Sequence, residues 1–228
     1  MMARARSSLA RWQRDPSSLF VKICGVRDEA TARMCAEAGA DAIGVVHAEG
    51  SCRRVTREQA AIVAGAFDRP SLTVGVFRDP DPADPLLTHH DGARQFHGGE
   101  SASLVAESAC PGRLIIKSVG RDLHALTVWS ACEFVEALLV DAEDPGRGHA
   151  HSVAWLAELG TRISALSKPV ILAGGLTPDT VHEAIRLVCP AGVDVSSGVE
   201  RARGIKDHGL IRAFIASARA AHVARSRG

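Results

Sequence analysis

Eight short apolar runs, rich in β-branched and aliphatic residues, recur along the chain and leave little freedom in its fold. They are FVKICG from Phe20, DAIGVVH from Asp41, SLTVGVF from Ser71, ARQFH from Ala93, RLIIKSV from Arg113, EALLVDA from Glu136, PVILAGG from Pro169 and GVDVSSG from Gly192. Their starts lie 20 to 33 residues apart. Most are continuously apolar, not alternating, as parallel strands covered on both faces should be. Segments with helical periodicity separate them, at 28–39, 56–67, 100–110, 123–133, 151–166, 177–188 and 207–220. Thr56 reads as a helix cap, and Thr177 followed by Pro178 reads as a cap with proline at the first helical position. The connection RDPDPADPLLTHHDG (78–92) is too rich in Pro and Asp for more than a turn of helix.

Strands alternating with helices predict a parallel α/β fold. Eight units in 228 residues predict a single-domain (β/α)8 TIM barrel with a truncated third helix, a fold whose usual size is about 250 residues. A doubly wound open sheet is the competitor, but its glycine-rich first turn is replaced here by CGVRD. No linker marks a second domain. The expected division is a loose basic tail over 1–18, the barrel over 19–220 and a basic C-terminal tail over 221–228, into which the last helix frays. The Arg- and Ser-rich start has one acid, Asp15, and no apolar stretch of a secretory signal; an organelle transit peptide is the alternative to a loose tail.

Composition narrows the function. Hydrophobic residues make up 46% and charged residues 23%, with a net charge of +1. That excludes a disordered chain, and no apolar run approaches the ~18–20 residues that cross a bilayer. Near-neutral charge argues against a nucleic-acid partner, and the expected setting is cytoplasmic. Cationic residues are 23 Arg and four Lys, so an isolated Arg carries little information. The six cysteines show neither CxxC spacing nor a nearby Cys/His cluster, so neither a metal nor another cofactor is expected.

In such a barrel, chemistry sits at the C-terminal ends of the strands. Gly174-Gly175 after the seventh run and Ser196-Ser197-Gly198 after the eighth read as a phosphate cradle, or as plain tight turns. Cys24 and Asp141 face each other as a possible base and acid: Lys22 or Arg53 nearby would lower the thiol, and partial burial would keep the carboxyl protonated. The alternatives are an inert buried Cys and a loop-capping Asp. Arg53 could grip a carboxylate bidentately or be a plain surface charge. His97 is open between a structural and a catalytic role. His149 and His151, in GRGHAH, are a weak metal signal.

Taken together, VKICGVRD (21–28), DAIGVV (41–46), SCRRV (51–55), VGVF (74–77), QFHG (95–98), LLVDA (138–142), LAGGLTPDTV (172–181), GVDVSSGVE (192–200) and GIKD (204–207) resemble the phosphoribosylanthranilate isomerase family of tryptophan biosynthesis. The resemblance spans residue 21 to about 215, nearly the whole chain beyond the tail. It implies a cofactor-free Amadori rearrangement of N-(5-phosphoribosyl)anthranilate, a small phosphosugar, by a monomer or homodimer. It further implies Cys24 as general base, Asp141 as general acid, and Arg53 at the anthranilate end. Asp194 points into the site, and the glycines and serines of the last two strands hold the phosphate. The chain departs from the family pattern at Ser51-Cys52-Arg53 with Gly50 inserted before it, at His47 in place of a Phe, at Gly146–Ser152 and at Thr180. Those departures fall on the anthranilate side and the lid, leaving two other readings open. One is a paralogue acting on another phosphoribosyl amine; the other is a non-catalytic phosphosugar-binding barrel. A metal-dependent hydrolase is remote.

Overall fold

A computed structural model describes residues 18–68, 72–141 and 152–226. Eight strands form a closed, all-parallel barrel in chain order. They are β1 (Phe20–Cys24), β2 (Ala42–Val46), β3 (Thr73–Phe77), β4 (Arg94–Phe96), β5 (Ile115–Val119), β6 (Ala137–Asp141), β7 (Val170–Ala173) and β8 (Gly192–Val195). The ring closes where β1 meets β8, with Lys22 opposite Asp194. That closure excludes the open doubly wound sheet. Strand interiors are buried on both faces, which is why the runs are continuously apolar.

The helices are α1 (Glu29–Glu37), α2 (Arg57–Ala66), α3 (Pro85–Thr88), α4 (Ala102–Glu107), α5 (Leu123–Ser130), α6 (Val153–Ile163), α7 (Val181–Val188) and α8 (His208–Ser226). Asp28 caps α1 by accepting from the Thr31 N–H, and Thr56 with Gln59 forms a reciprocal capping box on α2. The third helix is a single turn of four residues, as its Pro and Asp content requires. Between β8 and α8 a short hairpin of β9 (Glu200–Ala202) and β10 (Ile205–Lys206) forms a separate two-stranded sheet.

Two boundaries need correction. Thr177-Pro178 does not open α7: Thr177 and Thr180 instead exchange backbone and hydroxyl hydrogen bonds in a turn, and the α-helix begins at Val181. Residues 221–226 are not a tail, because α8 runs on to Ser226. Its buried residues Ile211, Phe214, Ala218, Ala221 and His222 recur at helical spacing, so barrel packing carries the helix past residue 220. Among the described residues no helix is long and apolar enough to cross a membrane.

Candidate active site

The C-terminal strand ends open into a cleft of about 910 Å3. Cys24, Arg53, His97, Asp141, Asp194, Ser196 and Ser197 all line it, although they come from five different strands or the loops after them.

Cys24 ends β1 and is almost fully buried. Lys22, two residues earlier on the same inward face, is completely buried and lies 2.9 Å from Asp194 Oδ1. Gly44 opens the space between them: a Cβ there would stand 2.8 Å from Cys24 Sγ and 3.3 Å from Lys22 Nζ. Burial raises the Cys24 thiol above its ordinary value, and the opposing pull of Lys22 does not overcome it. This corrects the expectation of a lowered thiol, and the physical reason is desolvation. Burial also disfavours the Lys22 ammonium, yet Asp194 and Cys24 outweigh it and hold Lys22 above its usual range.

Asp141 ends β6 and stays partly exposed to the cleft. His97 Nε2 lies 3.4 Å from its Oδ2, a long contact. Gln95 Nε2 is 3.2 Å from His97 Nδ1. With the amide nitrogen toward the ring, Nδ1 accepts and the ring proton sits on Nε2, facing Asp141. Burial lowers His97 despite the carboxylate beside it, so the imidazole is neutral near pH 7.

Arg53 lies in the loop after β2. Its Nε and Nη2 donate to the two carboxylate oxygens of Glu200 at 2.7 and 2.8 Å. Its stem crosses Gly25, where a Cβ would stand 2.6 Å from Arg53 Cδ. Glu200 also accepts from Lys206 Nζ and the Gly204 N–H. Burial works against the Glu200 carboxylate, but these donors prevail and hold it at about 2. Lys206 Nζ further donates to the Ser196 carbonyl at 2.8 Å, and Ser196 Oγ donates to the Cys24 carbonyl at 3.2 Å.

Gly174, Gly175 and Gly198 do not line the cleft itself. Gly174 and Gly175 have φ of +84° and +59°, a left-handed pair that a side chain would strain. Gly198 is fixed by packing: a Cβ there would lie 1.8 Å from the Leu176 carbonyl oxygen. Gly174 and Gly175 build the turn after β7, and Gly198 lets the turn after β8, which carries Ser196 and Ser197, pack against it. His47 also lies outside the lining. It stacks on Phe77 with ring centroids 5.1 Å apart, and burial lowers it to about 4. The expected lid residues Gly146–His151, including His149 and His151, lie outside the described residues.

The sequence reading missed Glu200, Lys206 and Gln95 as parts of the site. They sit inside the segments GVE, GIKD and QFHG, but nothing local shows that Glu200 meets an arginine 147 residues away.

A family model described as N-(5'-phosphoribosyl)anthranilate (PRA) isomerase matches residues 21–217. The chain belongs to the phosphoribosylanthranilate isomerase family. It is 42% identical over 216 residues to the N-(5'-phosphoribosyl)anthranilate isomerase of Paracoccus denitrificans, covering 89% of this chain and 98% of that one. The crystal structure of phosphoribosyl anthranilate isomerase from Thermotoga maritima superimposes with a TM-score of 0.75 at 32% identity, covering 89% of this chain and all of the other. Another family structure, in complex with reduced 1-(o-carboxyphenylamino)-1-deoxyribulose 5-phosphate, matches with a TM-score of 0.73 at 32% identity, covering 89% and 100%. Membership in this isomerase family accounts for a barrel whose polar groups converge at one mouth.

Proposed function

We propose that this chain converts N-(5-phosphoribosyl)anthranilate to 1-(2-carboxyphenylamino)-1-deoxyribulose 5-phosphate in tryptophan biosynthesis. The observation that carries the reading is the convergence of Cys24 and Asp141 on one cleft, in a chain that matches the isomerase family from residue 21 to 217.

In the proposed mechanism Asp141 gives its proton to the ribose ring oxygen. The C1–O bond breaks, and the nitrogen lone pair forms a protonated Schiff base. Cys24, as thiolate, then takes the proton from C2, and the electrons move into an enolamine that tautomerises to the ketone. This order needs one acid and one base and no redox partner. Lys22 and Lys206 favour the thiolate, while burial opposes it. Neutral His97 beside Asp141 offers a hydrogen bond to the carboxylate left after proton transfer.

The substrate carries a charge at each end. Arg53 suits the aryl carboxylate. Ser196 and Ser197, with the turns built by Gly174, Gly175 and Gly198, suit the phosphate. Asp194 acts through Lys22, which it holds 2.9 Å away, more than by touching substrate. Six free thiols fit a reducing compartment, hence a cytoplasmic enzyme, working as a monomer or homodimer.

The test is to generate the substrate from anthranilate, a phosphoribosyl donor and the transferase, then follow loss of its fluorescence on adding this protein. Loss that depends on this chain supports the reading; a stable signal sinks it.

A further inference from the structure

We propose that Glu200 and Lys206 form a positioning strut that presents Arg53 to the aryl carboxylate and ties it to the phosphate loop. The proposal rests on the isomerase reading above.

A guanidinium has more than one hydrogen-bonding edge. Here the Nε–Nη2 edge of Arg53 is taken by Glu200, and Nη1 has no hydrogen-bond partner among the described residues. The stem is held over Gly25, so the group is fixed at both its base and its fork. An arginine already fixed loses little further rotamer freedom when it binds a ligand. Glu200 does not cancel the attraction. Arg53 and Lys206 supply two cations against one carboxylate, leaving one net positive charge for the substrate's carboxylate.

The strut also sets a distance. Lys206 joins Glu200 at 2.9 Å to the Ser196 carbonyl at 2.8 Å, and Ser196 Oγ reaches the Cys24 carbonyl. Both cationic links start from one short hairpin, with Glu200 in β9 and Lys206 in β10. The two anchors and the strand bearing Cys24 therefore move as one unit. A substrate whose carboxylate and phosphate are correctly spaced meets both anchors without rearrangement.

The experiment compares N-(5-phosphoribosyl)anthranilate with N-(5-phosphoribosyl)aniline, which lacks the carboxylate. The readout is the ratio of their kcat/KM values. In Glu200→Gln the ratio should fall by about tenfold or more. The fall should come from KM for the carboxylated substrate, with kcat changed by no more than about threefold. Glu200→Asp, which keeps both oxygens, should recover part of the ratio and serves if the glutamine variant unfolds. Arg53→Met should erase the preference. An unchanged ratio in a folded Glu200 variant, or an equal loss on both substrates, overturns the strut. If the preference survives in Arg53→Met, the assignment of Arg53 fails. If the unaltered protein turns over neither substrate, the isomerase reading fails and takes the strut with it.

Discussion

Lys22 Nζ sits 2.9 Å from Asp194 Oδ1, in the interior of the barrel, at the point where β1 and β8 close the ring. The ammonium beside the proposed base is therefore already paired. Removing either partner strands a buried charge, which costs about 3–5 kcal/mol. Lys22→Met should lose stability on that scale in urea unfolding. It should also push the Cys24 thiol further up, because Lys22 opposes the effect of burial. Thiolate absorbance titrated in the folded variant checks the second outcome; an unshifted thiol would show that Lys22 does not act on Cys24.

The acid is tested by Asp141→Asn. The amide keeps the shape but transfers no proton, so turnover should fall by at least ~10²-fold. Affinity for a reduced product analogue should stay within a few-fold. Normal turnover in this variant would move the acid elsewhere, with Asp194 the next candidate.

Gly198 and Ser197 variants should both weaken binding but differ in stability. Gly198→Ala forces a methyl onto the Leu176 carbonyl and should cost about 1–3 kcal/mol of stability, with weakened analogue binding. Ser197 is exposed at the mouth, so Ser197→Asp should leave thermal unfolding almost unchanged while repelling the phosphate. Paired melting and binding curves check both. Undiminished affinity in Ser197→Asp places the phosphate elsewhere.

His47 gives the fold a pH dependence. Its folded-state value is about 4 against an ordinary 6.5. The unfolded chain therefore takes up the proton first as pH falls. The stability His47 contributes is complete above pH 6.5 and is lost as pH drops toward 4, at most about 3 kcal/mol. His47→Phe should flatten that part of the stability profile, measured by urea unfolding between pH 7 and 4. An unchanged slope would assign it to other groups.

The barrel was legible because parallel strands buried on both faces leave unbroken apolar runs, and the Pro- and Asp-rich 78–92 segment forbids a full third helix. The start of α7 was not, since Thr177 and Thr180 satisfy each other in a turn that mimics a cap motif. The extent of α8 depended on tertiary packing of Ala218, Ala221 and His222, which an Arg-rich ending disguised. At the site, residue identities at the strand ends were readable, but their electrostatics were not. Whether Cys24 is lowered by Lys22 or raised by burial depends on solvent exclusion, which no local motif encodes. The Arg53–Glu200 pair joins the loop after β2 to the β9–β10 hairpin, elements that lie far apart in sequence.

The central claim is that Cys24 removes the C2 proton. Single-turnover loss of N-(5-phosphoribosyl)anthranilate fluorescence, measured for the unaltered protein and for Cys24→Ser, tests it most directly. A hydroxyl of much higher pKa should slow the chemical step by at least ~10²-fold while substrate affinity stays within a few-fold. A Cys24→Ser protein that turns over at a near-normal rate would contradict the account.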